Sequence, residues 1–160
     1  MKLRTARTLQ IIAFVFFAAA FVLSIVSIFI QNTIKTAFSA APALRNVFVI
    51  PYYVILACTI HLGIALIPFL VLLKKPTRKA TIVATIIVAV LTVVNGALSM
   101  LLSTLITAMV GRLGGSEVLA AYTTVSSGAS FLTSLFTTPA AVLMFLSLGG
   151  ACGKDYSQQG

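Results

Sequence analysis

The sequence predicts an all-α protein that spans a membrane as a four-helix bundle. The chain of 160 residues is 60% hydrophobic and only 8% charged, whereas an ordinary soluble domain is about 25% charged. Its uncharged residues fall into four runs, each long enough to supply the ~20 residues that a spanning helix needs. The runs lack the alternation of a membrane β-strand, and a single segment in lipid must satisfy its own backbone hydrogen bonds.

We expect a single domain whose spans lie at about 9–30, 47–73, 80–110 and 118–148, before a short tail at 149–160. The first run is longer than the core of a cleaved signal peptide, which is about 7–15 residues. We interpret it as an uncleaved anchor, and cleavage between Ser39 and Ala43 is the alternative. The last two spans exceed the bilayer core, so they either tilt or protrude.

The link between the first two spans, residues 31–46, is the longest one. Ile34, Phe38 and Ala41 share a helical face before Pro42, which is compatible with an interfacial helix or an extension of the first span. We favour a simpler interpretation, a loop whose apolar residues dip into the headgroup region. In the next link, Pro76 cannot continue a helix, so a tight turn between antiparallel neighbours is expected.

Positive charges predict the orientation, because Lys and Arg in short flanking segments stay on the cytoplasmic side. One side of the predicted spans carries Lys2, Arg4, Arg7, Lys74, Lys75, Arg78, Lys79 and Lys154. The other side carries only Lys35, Arg45 and Arg112. We therefore expect an up-down-up-down topology in the cell membrane with both termini in the cytoplasm. Because these cations do not follow one face, nucleic acid is not an expected partner.

Anionic lipid headgroups of the cytoplasmic leaflet are an expected partner. They should attract the cations between the second and third spans at about 1 kcal/mol per cation. These cations are Lys74, Lys75, Arg78 and Lys79.

Polar residues inside the spans form stripes along helix faces. The stripes are Ala20, Ser24, Ser27 and Gln31 in the first span; Asn95, Ser99, Ser103 and Thr107 in the third; and Ser126, Ser130, Ser134 and Thr138 in the fourth. The halves of the spans nearest the cytoplasmic side are almost entirely aliphatic and Phe. The sequence thus predicts a two-layered bundle.

Two interpretations of the stripes remain open. In the first, small side chains let helices approach closely, and their hydroxyls bond across helices or to their own backbone. In the second, the outer half encloses a wet, outward-facing cavity that ends at His61 and Asn95 and is closed below by an apolar plug. The candidate polar cluster along this path is His61, Asn95, Ser99 and Ser130. We expect His61, the sole histidine, to be buried and within reach of Asn95. Without a carboxylate partner in the membrane, it is a poor proton relay.

Most residue types that perform catalysis are missing from the spans. The two acids, Glu117 and Asp155, lie at span ends, so carboxylate-dependent chemistry and two-metal sites lack their ligands. One His and two Cys are too few for a metal cluster. Cys58 and Cys152 lie too far apart in depth for a disulfide, and Cys152 is either a free thiol or an acylation site. We expect no enzyme, no cofactor and no metal.

Two functions are compatible with these features. The first is a non-catalytic structural or interaction subunit, which contacts copies of itself or another membrane protein through small-residue stripes. The alternative is a small oligomeric channel or transporter for a neutral or anionic solute, with the candidate polar cluster lining its path.

Overall fold

The computed structural model is all-helical and describes residues 3–37, 42–74, 77–112 and 116–151. It leaves out the side chains of 3, 42–46, 110–111, 116–119, 121, 123, 125–127, 129–130 and 150–151. Its helices are α1 (Leu3–Ala37), α2 (Pro42–Lys74), α3 (Arg78–Arg112) and α4 (Ser116–Ala151). Each contains a segment long and apolar enough to cross a membrane: Arg4–Ala37, Val47–Lys74, Arg78–Met109 and Phe131–Gly149. The predicted helical class is confirmed, and so is the prediction of four helices long and apolar enough to cross a membrane.

The helices extend beyond the predicted spans, most clearly between α1 and α2. Since α1 continues to Ala37 and α2 begins at Pro42, the predicted loop is wrong for residues 31–37 and 42–46, and the alternative of an extended first helix is correct as far as Ala37. Thr33 keeps its hydroxyl within α1 by donating to the Phe29 carbonyl at 3.0 Å. No Gly or Pro interrupts the chain before Pro42, and Pro is favoured at the first position of a helix. Phe38 and Ala41 lie outside the described residues.

Thr77 determines where α3 begins. Its hydroxyl accepts a hydrogen bond from the Ala80 N–H at 3.2 Å, and its carbonyl accepts one from the Thr81 N–H at 3.0 Å. Thr is a favoured N-cap because its side chain satisfies an otherwise unpaired N–H of the first turn. The chain can therefore start a new helix within a few residues of the end of α2.

Each helix packs against two others: α1 against α2 and α4, and α3 against the same two helices. The direction of α1 relative to α2 follows from two contacts at their ends. The Arg7 guanidinium donates to the Leu73 carbonyl at 3.5 Å, and the Lys35 ammonium lies 3.9 Å from the centre of the Tyr52 ring. We call the end at Arg7 and Leu73 the basic end, and the end at Lys35 and Tyr52 the far end.

Two apolar clusters form the core at different depths. The basic-half cluster draws on all four helices and contains Ala13, Phe17, Leu62, Ala65, Phe69, Leu72, Ala84, Val88, Ala140 and Met144. Its Phe17 and Phe69 rings lie 5.4 Å apart. The far-end cluster is smaller and contains Val47, Phe48, Leu102, Ile106 and Tyr122. The core is therefore interrupted between the two clusters.

The outer surface of the four helices is apolar over most of its height. Examples of strongly exposed side chains are Phe29, Val93 and Met100. A water-soluble monomer rarely exposes a continuous apolar patch above a few hundred Å². Hydrocarbon is the solvent that suits such a surface, and the four apolar helices are compatible with a multi-pass membrane protein.

Phe17→Ala should destabilise the protein, because Phe17 is 0% exposed and packs against Phe69. The loss should be about 2 kcal/mol, less than the ~3–5 kcal/mol of a soluble core, since lipid is as apolar as the interior and only packing is lost. Thermal unfolding in detergent measures the effect. Phe29→Ala, at a position 69% exposed, is the matched control and should leave Tm unchanged; equal losses at both positions would contradict the packing.

Candidate functional site

A polar cavity of about 60 Å³ lies between the two apolar clusters, and all four helices line it. We call it the polar chamber. Its polar lining residues are Ser24, Ser27, Gln31, Asn95, Ser99 and Thr133, and the rest of the lining is Val54, Ile55, Cys58, Leu62, Leu98 and Leu102. None of the lining residues in the described part of the chain carries a charge. Neutral donors and acceptors of hydrogen bonds are therefore what the chamber offers.

The stripe on α1 supplies much of the polar wall. Ser24, Ser27 and Gln31 are all buried, since their spacing of three and four residues keeps them on one helix face. The Ser27 hydroxyl donates to the Leu23 carbonyl at 3.0 Å. The amide oxygen of Gln31 is buried and has no hydrogen-bond partner. Gln31 thus brings an unused acceptor to the far-end side of the chamber.

One interhelical hydrogen bond joins α1 to α2 beside the chamber, between the hydroxyls of Ser24 and Thr59. The Thr59 hydroxyl also lies 2.8 Å from the Ile55 carbonyl and donates to it. Because a hydroxyl carries one hydrogen, Ser24 must be the donor to Thr59. Both polar groups are satisfied without water.

The α3 stripe enters the chamber only in part. Asn95 and Ser99 are half-buried and line it, whereas Ser103 and Thr107 are exposed. At 3.6 residues per turn, a strict four-residue repeat rotates about 40° per step, so it leaves the inner face after two steps. The Nδ2 atom of Asn95 is buried and has no hydrogen-bond partner.

The α4 stripe also faces outward where the structure describes it. Ser134 and Thr138 are exposed. The side chains of Ser126 and Ser130 lie outside the described residues, so Ser130 has no established place relative to the chamber. Of the predicted cluster, the chamber contains Asn95 and Ser99.

His61 is exposed on α2 and does not line the chamber, in contrast to its expected burial. It lies in a groove of about 260 Å³ between α2 and α3, which we call the His61 groove. The groove is also lined by Val54, Ala57, Cys58, Leu91, Val94, Asn95 and Leu98. His61 Nδ1 lies 2.7 Å from the Ala57 carbonyl and bonds to it. The bond to Asn95 that the sequence suggested is not made, although both residues line this groove.

The basic half also contains buried polar residues that the sequence pattern did not indicate. Gln10 is buried, and its amide nitrogen donates to the Thr81 hydroxyl at 3.3 Å. Thr85 is buried too and donates to the Thr81 carbonyl at 2.8 Å. The expectation of an almost purely aliphatic and Phe layer is therefore wrong here. The spacing of Gln10 from Ala13 and Phe17, which share the inner face, could have revealed it.

The predicted lipid-contact residues lie at the basic end. Lys74, Arg78 and Lys79 are exposed, and Lys75 lies outside the described residues. Elsewhere in the described ranges, no three His, Cys, Asp or Glu side chains come together as a metal site would require. The chamber and the His61 groove are therefore the two features that a functional proposal has to explain.

The Ser24–Thr59 bond should couple α1 to α2 energetically. In a double-mutant cycle with Ser24→Ala and Thr59→Val, we expect a coupling of about 0.6 kcal/mol, the average for such bonds within membranes. Reversible unfolding in mixed micelles measures it. The control pair is Ser24→Ala with Thr92→Val, because Thr92 donates within its own helix to the Val88 carbonyl. The effects of these two substitutions on the free energy of unfolding should be additive. Additivity in both pairs would show that the Ser24–Thr59 contact has no energetic role.

Comparisons with known proteins provide no relative from which a role could be taken. No protein-family model, no curated protein and no solved structure matches the chain. The positions, burial and hydrogen bonds of its own side chains are consequently what a functional proposal can use.

Proposed function

We propose that this multi-pass membrane protein is a non-catalytic structural or interaction subunit whose partner docks at the His61 groove. The observation behind the proposal is the exposure of His61, near the middle of the apolar segment Val47–Lys74. At that depth an exposed side chain meets either hydrocarbon or another protein. Polar residues inside a membrane normally face protein or water.

The hydrogen bonding of His61 indicates what the partner should offer. A carbonyl only accepts hydrogen bonds, so Nδ1 donates its proton to the Ala57 oxygen. In the neutral imidazole Nε2 is then an acceptor, and within the described residues nothing donates to it. Leaving such a group in an apolar medium costs about 1–3 kcal/mol. A hydroxyl or amide donor on a partner helix, from a second copy or another membrane protein, would offset that cost.

We also propose an up-down-up-down arrangement in the cell membrane, with both termini in the cytoplasm. The charge distribution supports it, because exposed cations gather at the basic end: Arg4, Arg7, Lys74, Arg78 and Lys79. At the far end the described cations are Lys35 and Arg112, and Lys35 packs on Tyr52. Retention of cations on the cytoplasmic side then sets the orientation, and anionic headgroups of that leaflet would contact the basic end.

A channel or transporter for a neutral or anionic solute is the second candidate. The polar chamber favours it, since all four helices line the cavity and the polar side chains among the lining residues are all neutral. An apolar cluster on each side of the chamber separates it from both ends of the molecule. A path across the membrane would require both clusters to open, which is why we place this function second. The test is solute flux into liposomes that contain the protein. If the protein carries a solute and Asn95→Ala alters the flux, transport would become the preferred function.

The orientation can be tested with two matched substitutions at exposed threonines, Thr33→Cys near the far end and Thr77→Cys at the basic end. Both are made in a chain that lacks Cys58 and Cys152. A membrane-impermeant maleimide should label Thr33→Cys in intact cells and Thr77→Cys only after permeabilisation. The reverse pattern would show that the basic end faces outward.

The docking surface can be tested by a photo-crosslinking residue at Ile64, one turn from His61 and 58% exposed. Val22 on α1 is the matched control, because it is also 58% exposed. It lies at a depth similar to that of Ile64, since Ser24, two residues from Val22, bonds to Thr59 on α2. In native membranes Ile64 should give a defined protein adduct, weakened by His61→Leu, whereas Val22 should give lipid adducts alone. The same adducts from both positions, or none with protein from Ile64, would refute docking at the groove.

A further inference from the structure

We infer that the polar chamber is a binding site for a small uncharged molecule that both donates and accepts hydrogen bonds. The chamber shares Val54, Cys58, Asn95 and Leu98 with the His61 groove. Gln31 lines only the chamber and His61 only the groove, so substitutions at these two residues test the two roles independently. The inference rests on two unused polar atoms, the absence of charge in the described lining, and the volume of the cavity.

The first unused atom belongs to Gln31. The side chain is only 2% exposed, it lines the chamber, and its amide oxygen has no hydrogen-bond partner. A buried acceptor without a donor is unfavourable, because it has lost water and gained nothing in return. Buried polar groups that the protein leaves unpaired are usually satisfied by ordered water, and a ligand that displaces such water has to supply the same hydrogen bonds.

The second unused atom lies on α3. The amide nitrogen of Asn95 is buried without an acceptor, and Asn95 lines the same chamber. The chamber therefore presents an unused acceptor from one helix and an unused donor from another. If the amide of Gln31 or Asn95 were turned by 180°, its oxygen and nitrogen would change places. Each side chain would still present one donor group and one acceptor group.

The lining also restricts the charge of the ligand. Hydroxyls and amides from α1, α3 and α4 form the polar part of the wall, and the described lining contains neither a cation nor a carboxylate. Burying an ion without a counter-charge is far more costly than burying a neutral polar group that finds its hydrogen bonds. A neutral solute is thus favoured over an anion or a cation.

The volume indicates the size of a molecule that fits inside the chamber. A cavity of about 60 Å³ holds about four to six water-sized groups, since one group needs roughly 10–15 Å³. A molecule with that number of non-hydrogen atoms has the size of acetamide or glycerol. Both carry donors and acceptors for the polar side chains of the lining, which include Gln31, Asn95 and Ser99.

Acetamide and acetate form a matched pair of probes, because they have nearly the same shape and differ in charge. We would titrate each with the full-length protein in lipid nanodiscs and follow binding by saturation-transfer NMR, with glycerol as a second neutral probe. Acetamide and glycerol should receive saturation from the wild-type protein, and acetate should not.

Gln31→Met preserves the length of the side chain and removes its hydrogen-bonding atoms. It should weaken acetamide binding by about three- to ten-fold, which corresponds to one neutral hydrogen bond. Asn95→Leu tests the opposite wall in the same way. Ser103→Ala, at an exposed position on the same stripe as Asn95, should leave binding unchanged.

The binding measurements distinguish a ligand site from a chamber that holds only water. Weaker binding in Gln31→Met or Asn95→Leu, with Tm retained, supports the site. No saturation of either neutral probe by the wild-type protein would mean that water alone occupies the chamber and would overturn the inference. Equal binding of acetate and acetamide would overturn it as well, and this comparison uses only the wild-type chain, so it does not depend on the folding of a variant.

Discussion

Hydrocarbon around the helices is the constraint on which the rest of this structure depends. Lipid offers no hydrogen bonds, so a polar group that finds no partner inside the protein stays unsatisfied at a cost in free energy. Hydroxyls meet this demand locally: Thr85, Thr92 and Thr104 donate to the carbonyl four residues earlier. This bond lets a helix carry polar side chains on any face at little cost. Interhelical bonds such as Gln10–Thr81 and Ser24–Thr59 can then be few.

Packing, and not expulsion of apolar groups from water, must hold the helices together, because lipid is as apolar as their side chains. The α1–α2 contact illustrates this. A Cβ atom at Gly63 would lie 3.1 Å from the Phe21 ring, so the absence of a side chain there permits close approach. The Phe17 and Phe69 rings fill the space nearer the basic end. Such contacts concentrate in two layers, and the polar chamber lies between them.

The sequence predicted the features that depend on composition and missed those that depend on helix rotation. Four long uncharged runs were sufficient to predict the helical class and four helices long and apolar enough to cross a membrane, and both predictions are confirmed. The predicted end of α1 and the predicted start of α2 are wrong, because residues typical of a membrane interface can also continue a helix. The stripe on α3 looked continuous in the sequence, but a strict four-residue repeat rotates away from the core, and Ser103 is exposed. The exposure of His61 depends on how α2 is rotated against α1 and α3, which no local pattern records.

Hydrogen–deuterium exchange of the full-length protein in lipid nanodiscs tests most directly whether all four helices lie in hydrocarbon. Amides in the central turns of α1, α2, α3 and α4 should exchange far more slowly than those at the helix ends, since they are hydrogen-bonded and shielded from water. If the central amides of any one helix exchange as fast as those of an unstructured peptide, that helix does not span the bilayer, and the four-span structure is contradicted.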